Sequence, residues 1–172
     1  MEGGLLRLGA GVEIVLRQDR PSHPANILVH GIDGTTQVGG KDPATALMEF
    51  IEFAGRAPLV GFHADFDRVM LERAARTHLD LALPNEWLDV ARLAPALVPA
   101  AVAPGAGLDD WAAAHGIINP ARHNAVADAM VTAQLFQVVL SAAKSRGIGD
   151  YGALRETERN QRGLEQFEGR PG

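Results

Sequence analysis

The chain has 172 residues, 47% apolar and 22% charged, the proportions of one globular domain large enough to bury a core. A formal net charge of −5 argues against a broad basic surface for duplex DNA, although a carboxylate-rich, metal-collecting site would push the total the same way. No cysteine is present, which excludes disulfides and thiolate zinc sites and suits a reducing cytoplasm.

The opening "MEGGLLRLGAGVEIVL" lacks a basic start followed by a long apolar run, so no signal peptide is readable. No window offers an uninterrupted apolar run of roughly 18 to 20 residues, and no membrane partner is expected. Residues 11–17, carrying Val12, Ile14, Val15 and Leu16, read as a strand, and "DRPSHP" as its turn-rich exit. "NILVHGIDGTTQVGGKD" is loose and glycine-rich. Asp42-Pro43 then marks a helix start, an N-cap followed by proline at the first helical position. Leu47, Phe50, Ile51 and Phe53 give helical spacing up to a stop at Gly55.

"APLVGF" has the length of a buried strand, and "HADFDRVMLERAARTHL" follows as a helix marked by Phe66, Val69, Met70 and Ala74. In "EWLDVARLAPAL" a short strand at Trp87 and Leu88 ends at Asp89, read as the N-cap of a helix of about two turns. "LAPALVPAAVAPGAGL" is a connection broken by prolines and glycines. "GLDDWAAAHGI" is a short helix closed by Gly116, and residues 124–144 form the long final helix. Alternating strands and helices imply an α/β domain with a mostly parallel sheet over residues 1–144. Residues 145–172, rich in Arg, Glu, Gln and Gly, read as a polar tail, either a solvated helix or a loose segment.

Two stretches hold chemistry-bearing residues. In "LVGFHADFDRVML", Asp65 and Asp67 fall in the first helical turn after a buried strand, where open α/β sheets place ligands. Both also suit the ordinary reading of carboxylates complementing a helix N-terminus. In "ARHNAVADAMVTAQLF", His123 lies just before the long helix and Asp128 about a turn inside it. An imidazole can take a proton from water, and a carboxylate can hold Mg²⁺ or Mn²⁺. The ordinary reading is again a polar helix start. Asp65 reads as solvent-facing or capping, and His63 and His115 as polar residues at element ends.

Together the two stretches resemble the DnaQ-like 3′–5′ exonucleases of the DEDDh type. "HADFDRVML" fits the family's A-x-F-D-x-x-x-L, and "HNAVADAMVTA" fits its H-x-A-x-x-D-A-x-x-T-A. "LDVARLAP", "LDDWAAAHGI" and "ILVHGID" are similar to its intervening segments, so the resemblance spans roughly residues 8–143. It implies a ribonuclease-H-like α/β fold, a mixed sheet flanked by helices. It makes His123 the general base, Asp67 and Asp128 metal ligands, and Mg²⁺ or Mn²⁺ the cofactor, in a two-metal site with ions about 4 Å apart. The implied substrate is the 3′ end of single-stranded DNA, with RNA open, in proofreading or repair and with a polymerase as a possible partner.

The family's first motif, D-x-E, has no counterpart in residues 1–40, where the only acids are Glu2, Glu13, Asp19 and Asp33. "RLGAGVEIVLRQDRPS" corresponds to the family's third strand, so the expectation is a domain without its first two strands. Three readings remain open: a start placed too far downstream, an inactive descendant that still binds nucleic acid or a partner, or a sheet completed by another chain. Weak or absent activity is expected of the chain as it stands. The alternatives are a non-catalytic binding module on the same fold, or an unrelated α/β protein in which these polar residues are helix caps.

Overall fold

Two short parallel strands and the helix between them frame the structure, a computed structural model describing residues 11–23, 25, 27, 32–98, 102–103, 105–121 and 123–168. β1 (Leu59–Gly61) pairs with β2 (Trp87–Asp89) in the register Leu59↔Trp87, Val60↔Leu88 and Gly61↔Asp89. The remaining elements are the helices α1 (Gly34–Val38), α2 (Pro43–Ala54), α3 (Ala64–Leu79), α4 (Val90–Leu97), α5 (Leu108–Ala114), α6 (Ala125–Ser145) and α7 (Tyr151–Glu168). α3 crosses between the two strands, the connection that a parallel pair requires. The α/β class expected from the sequence is therefore observed. Among the described residues the sheet is two-stranded and parallel rather than mixed.

The caps follow their chemistry. Asp42 accepts from the Thr45 amide with Pro43 in the first turn, and Asn124 accepts from the Ala127 amide at the head of α6. Gly55 and Gly116 take positive φ, 54° and 68°, where α2 and α5 end.

Residues 11–17 do not form a strand. Only a single parallel bridge, Leu16 to Lys41, is made, flanked by hydrogen bonds from Arg17 N to Lys41 O and from Lys41 N to Val15 O. Val12 is exposed and has no ladder to join, because the partner chain turns directly into α2 after Lys41. The buried Gln37 side chain organises this corner, accepting from the Ser22 amide and donating to the Ile32 carbonyl, both at 2.7 Å. Within the stretch read as loose, Asp33 caps α1 through the Thr36 amide and hydroxyl. Residues 24, 26 and 28–31 of that region, and 99–101 and 104 of the proline-rich connection, lie outside the described residues.

Leu88, Val90, Leu93 and Leu97 pack with Trp111, Leu135, Phe136, Val139 and Ala143 to form the core, which also takes in Leu154. α6 is also long and apolar enough to cross a membrane by length and composition, with a mean hydropathy of 1.5 over its best window. Asp128 and the scattered polar residues interrupt its apolar run, so the helix does not stand out as such a span in the sequence. In the fold, Val131, Leu135, Phe136, Val139 and Ala143 of this helix are core residues. Nor is α6 the final helix. Of the two readings of residues 145–172, a helix is observed from Tyr151, capped by the Asp150 carboxylate at the Ala153 amide. It packs on α4 and β2.

Candidate functional site at the carboxyl ends of the strands

The strand register sets Gly61 beside Asp89 where both strands end. A side chain at Gly61 would meet the Ala64 Cβ at 3.1 Å and the Asp67 Oδ2 at 3.3 Å, so the Asp67 carboxylate lies over the end of β1. Asp89 is buried. Its Oδ1 accepts from the His63 and Ala91 amides, both at 2.9 Å, and its Oδ2 accepts from Arg92 Nη1 at 2.8 Å. Asp89 is thus the N-cap expected of it and also a tie between the start of α3 and the start of α4. Asp67 is exposed as a residue, but desolvation of its carboxylate over the strand end raises its pKa, and the nearby Asp89 charge adds to the effect.

Asp65 departs from its expected role as a solvent-facing or capping residue. It is the focus of an arginine cluster, accepting from Arg162 Nη2 at 2.8 Å and Arg92 Nη2 at 3.0 Å, with Arg68 at 3.6 Å. Burial raises its pKa, but the Arg92 hydrogen bond and the charges of Arg92, Arg162 and Arg68 outweigh this and lower it. Arg92 also meets Glu165 at 3.2 Å and Glu158 at 4.0 Å, which fastens α7 to the helices that begin at the strand ends. The pairing of Asp89 with Arg92, three residues on, was not read from the sequence, which marked Asp89 only as a cap. Arg162, 97 residues from Asp65, gave no local signal.

His123 is exposed, immediately before α6, with φ of 62°. His63 holds the same left-handed conformation, φ 59°, immediately before α3. Outside glycine this conformation is uncommon, costs about 1 kcal/mol or more, and collects at functional sites. The His63 ring lies edge-on to Phe62, and that of His115 stacks on Trp111. Asp128, in the first turn of α6, accepts from Asn119 Nδ2 at 2.9 Å, and the same amide group reaches Asp109 Oδ1 at 3.2 Å. Nothing in the sequence reading had singled out Asn119.

α6 packs against β1, so the helix that begins with the His123 motif and the strand under Asp67 are neighbours. Among the described residues, however, no three His, Asp or Glu side chains gather closely enough to hold a metal ion. Asp89 is committed to its amides and Arg92, and Asp65 to its arginines. The described donors therefore do not fit a two-metal centre, whose four positive charges call for more carboxylate than Asp67 and Asp128 supply.

The exonuclease family (RNase_T) matches residues 2–136. The chain belongs to this exonuclease family. Membership implies a ribonuclease-H-like fold, consistent with the parallel βαβ unit, and it supports a nuclease function. The chain is 33% identical over 150 residues to a DNA polymerase III subunit epsilon-like protein of Rhodobacter capsulatus, covering 85% of this chain and 21% of that protein. It is 30% identical over 141 residues to a Mycobacterium tuberculosis protein named as a bifunctional exonuclease/endonuclease, covering 78% of this chain and 21% of the relative. The chain thus spans about a fifth of the length of these curated relatives.

Proposed function

We propose that this member of the exonuclease family acts in the 3′–5′ direction on single-stranded nucleic acid, DNA in preference to RNA. His123 is the general base, and Asp67 and Asp128 are ligands for Mg²⁺ or Mn²⁺. Hydrolysis of a phosphodiester needs an activated water and relief of charge on the phosphate, the second of which divalent metal supplies when bound. The observation that carries the reading is the placement of the two motifs. Asp67 lies over the carboxyl end of β1, while His123 and Asp128 head α6, the helix packed on that strand. The name of the epsilon-like relative supports a polymerase as partner.

The donor set described above supports a further part of the proposal: the chain alone hydrolyses weakly, because Asp67 and Asp128 supply less carboxylate than a pair of divalent ions calls for. Incubation with a 3′-labelled single-stranded oligonucleotide and Mn²⁺ tests this. Slow shortening that disappears in His123→Ala and Asp128→Asn is expected. Rapid shortening by the chain alone, lost in His123→Ala, would refute the weak-activity part. The scatter of acidic donors favours a second reading, a binding module without catalysis. It predicts oligonucleotide binding that survives EDTA and is unchanged by Asp128→Asn.

A further inference from the structure

We infer that Asn119 is a positioning residue that holds the Asp128 carboxylate and the turn bearing His123 in register. The inference rests on the roles just proposed for those two residues. Asn119 lies in the connection between α5 and α6, and its polar groups are used on both sides. Its Nδ2 donates to Asp128 Oδ1 at 2.9 Å and to Asp109 Oδ1 at 3.2 Å, while its Oδ1 accepts from the Ala121 amide at 3.2 Å.

These bonds belong to a closed circuit around His123. The Ala121 carbonyl accepts from the Asn124 amide at 3.2 Å, and the Asn124 carbonyl accepts from the Asp128 amide at 2.9 Å. Asp128 then returns to Asn119 through its carboxylate. The Asn124 side chain adds a second hold, accepting from the Ala127 amide at 3.0 Å. His123 lies between the Ala121 and Asn124 ends of this ring of hydrogen bonds, in a left-handed conformation and with its imidazole exposed to solvent.

The chemistry requires an amide at position 119. Two N–H donors for two carboxylates, together with one carbonyl for a backbone amide, are what asparagine offers at this length. An aspartate would keep the acceptor but set a third carboxylate against Asp109 and Asp128. An alanine would leave both carboxylates without this donor and release the turn. Groups that orient a functional side chain without touching substrate typically change activity by about 10- to 100-fold when removed.

The test compares the full chain with Asn119→Ala, Asn119→Asp and the pair Asn119→Asp/Asp109→Asn. Amide hydrogen exchange at Asn124 and Asp128, and the ¹³C shift of the Asp128 carboxyl group, are followed by NMR. Single-turnover cleavage of an oligonucleotide with Mn²⁺ gives the maximal rate and the half-saturating concentration. Faster exchange at both amides and a moved Asp128 shift are expected in Asn119→Ala. Its maximal rate should fall about 10-fold or more, with half-saturation within about twofold. Asn119→Asp should be the more damaged variant, and Asp109→Asn should partly restore it by removing one of the crowded charges. Unaltered exchange and an unmoved carboxyl shift in Asn119→Ala would overturn the inference, as would an unaltered cleavage rate where His123→Ala abolishes cleavage. If no His123-dependent cleavage is detected, the proposed function fails separately, and the NMR measurements alone decide the role of Asn119.

Discussion

Replacing Arg92 by methionine should cost about 3 kcal/mol of stability, and the structure shows where the loss arises. The methionine keeps most of the apolar stem but removes a guanidinium whose side chain is only 16% exposed. Asp89, with a side chain 3% exposed, then loses the donor to its Oδ2 and keeps only the two amides on Oδ1. Removing one partner of a buried ion pair costs about 3–5 kcal/mol. The two remaining amide bonds place this case at the lower end. The contacts to Asp65 and Glu165, whose side chains are 40% and 44% exposed, are screened and add less than about 1 kcal/mol each. For a domain of this size about 3 kcal/mol corresponds to a fall in Tm of about 6–12 °C. Urea unfolding followed by circular dichroism measures the loss, and the same titration on Arg92→Met/Asp89→Asn tests its cause. Neutralising Asp89 removes the stranded charge while keeping an oxygen for the caps, so the double variant should be more stable than Arg92→Met. A loss below about 1 kcal/mol in the single variant, or no recovery in the double, would refute the assignment of Asp89 as the buried charge that Arg92 neutralises.

Asp67→Asn should raise Tm near neutral pH while abolishing any cleavage. A carboxyl whose pKa is raised by folding binds its proton more tightly in the folded chain, so its stabilising contribution is complete below the ordinary carboxylate pKa and is lost as pH climbs. Differential scanning calorimetry should therefore separate the variant from the parent near pH 7 and bring them together near pH 3. Gly40→Ala should cost about 2 kcal/mol or more in the same urea titration. Its Cβ would lie 2.7 Å from Arg17 N and 2.8 Å from both Leu16 C and Val15 O, main-chain atoms that cannot turn aside.

The residues that determine their own surroundings were legible in the sequence. Asp42-Pro43, Asp89, Asn124, Gly55 and Gly116 mark helix ends because a side-chain oxygen, a fixed φ or a permitted positive φ acts within a few residues. The short strands at 59–61 and 87–89 and the helices between and after them follow from apolar runs bounded by such signals. Asp67, His123 and Asp128 had no such local signature: each alone reads as part of a polar helix start, and the resemblance of the two motifs singled them out, both lying within the residues 2–136 that the family matches.

Only the tertiary structure decided how those elements meet. Residues 11–17 have strand-like composition, but a strand exists only where a second backbone offers a ladder, and Lys41 offers a single rung. Asp65 looked like a plain solvent-facing neighbour of Asp67, yet Arg162 from α7, 97 residues away, pairs with it on the half-exposed surface. The polar composition of residues 151–168 concealed a docked helix, because its hold includes the buried Leu154, the partly buried Tyr151 and long-range pairs from Arg92, Arg155 and Arg162 rather than a long apolar stripe. Asn119 carries no local signal either. Its importance comes from two carboxylates, ten residues before it and nine after, that folding brings to one amide. Caps and short apolar runs are governed by bonds across a few residues and are written in the sequence. Charge clusters are governed by which distant helices share a strand end, and that is fixed only when the core closes.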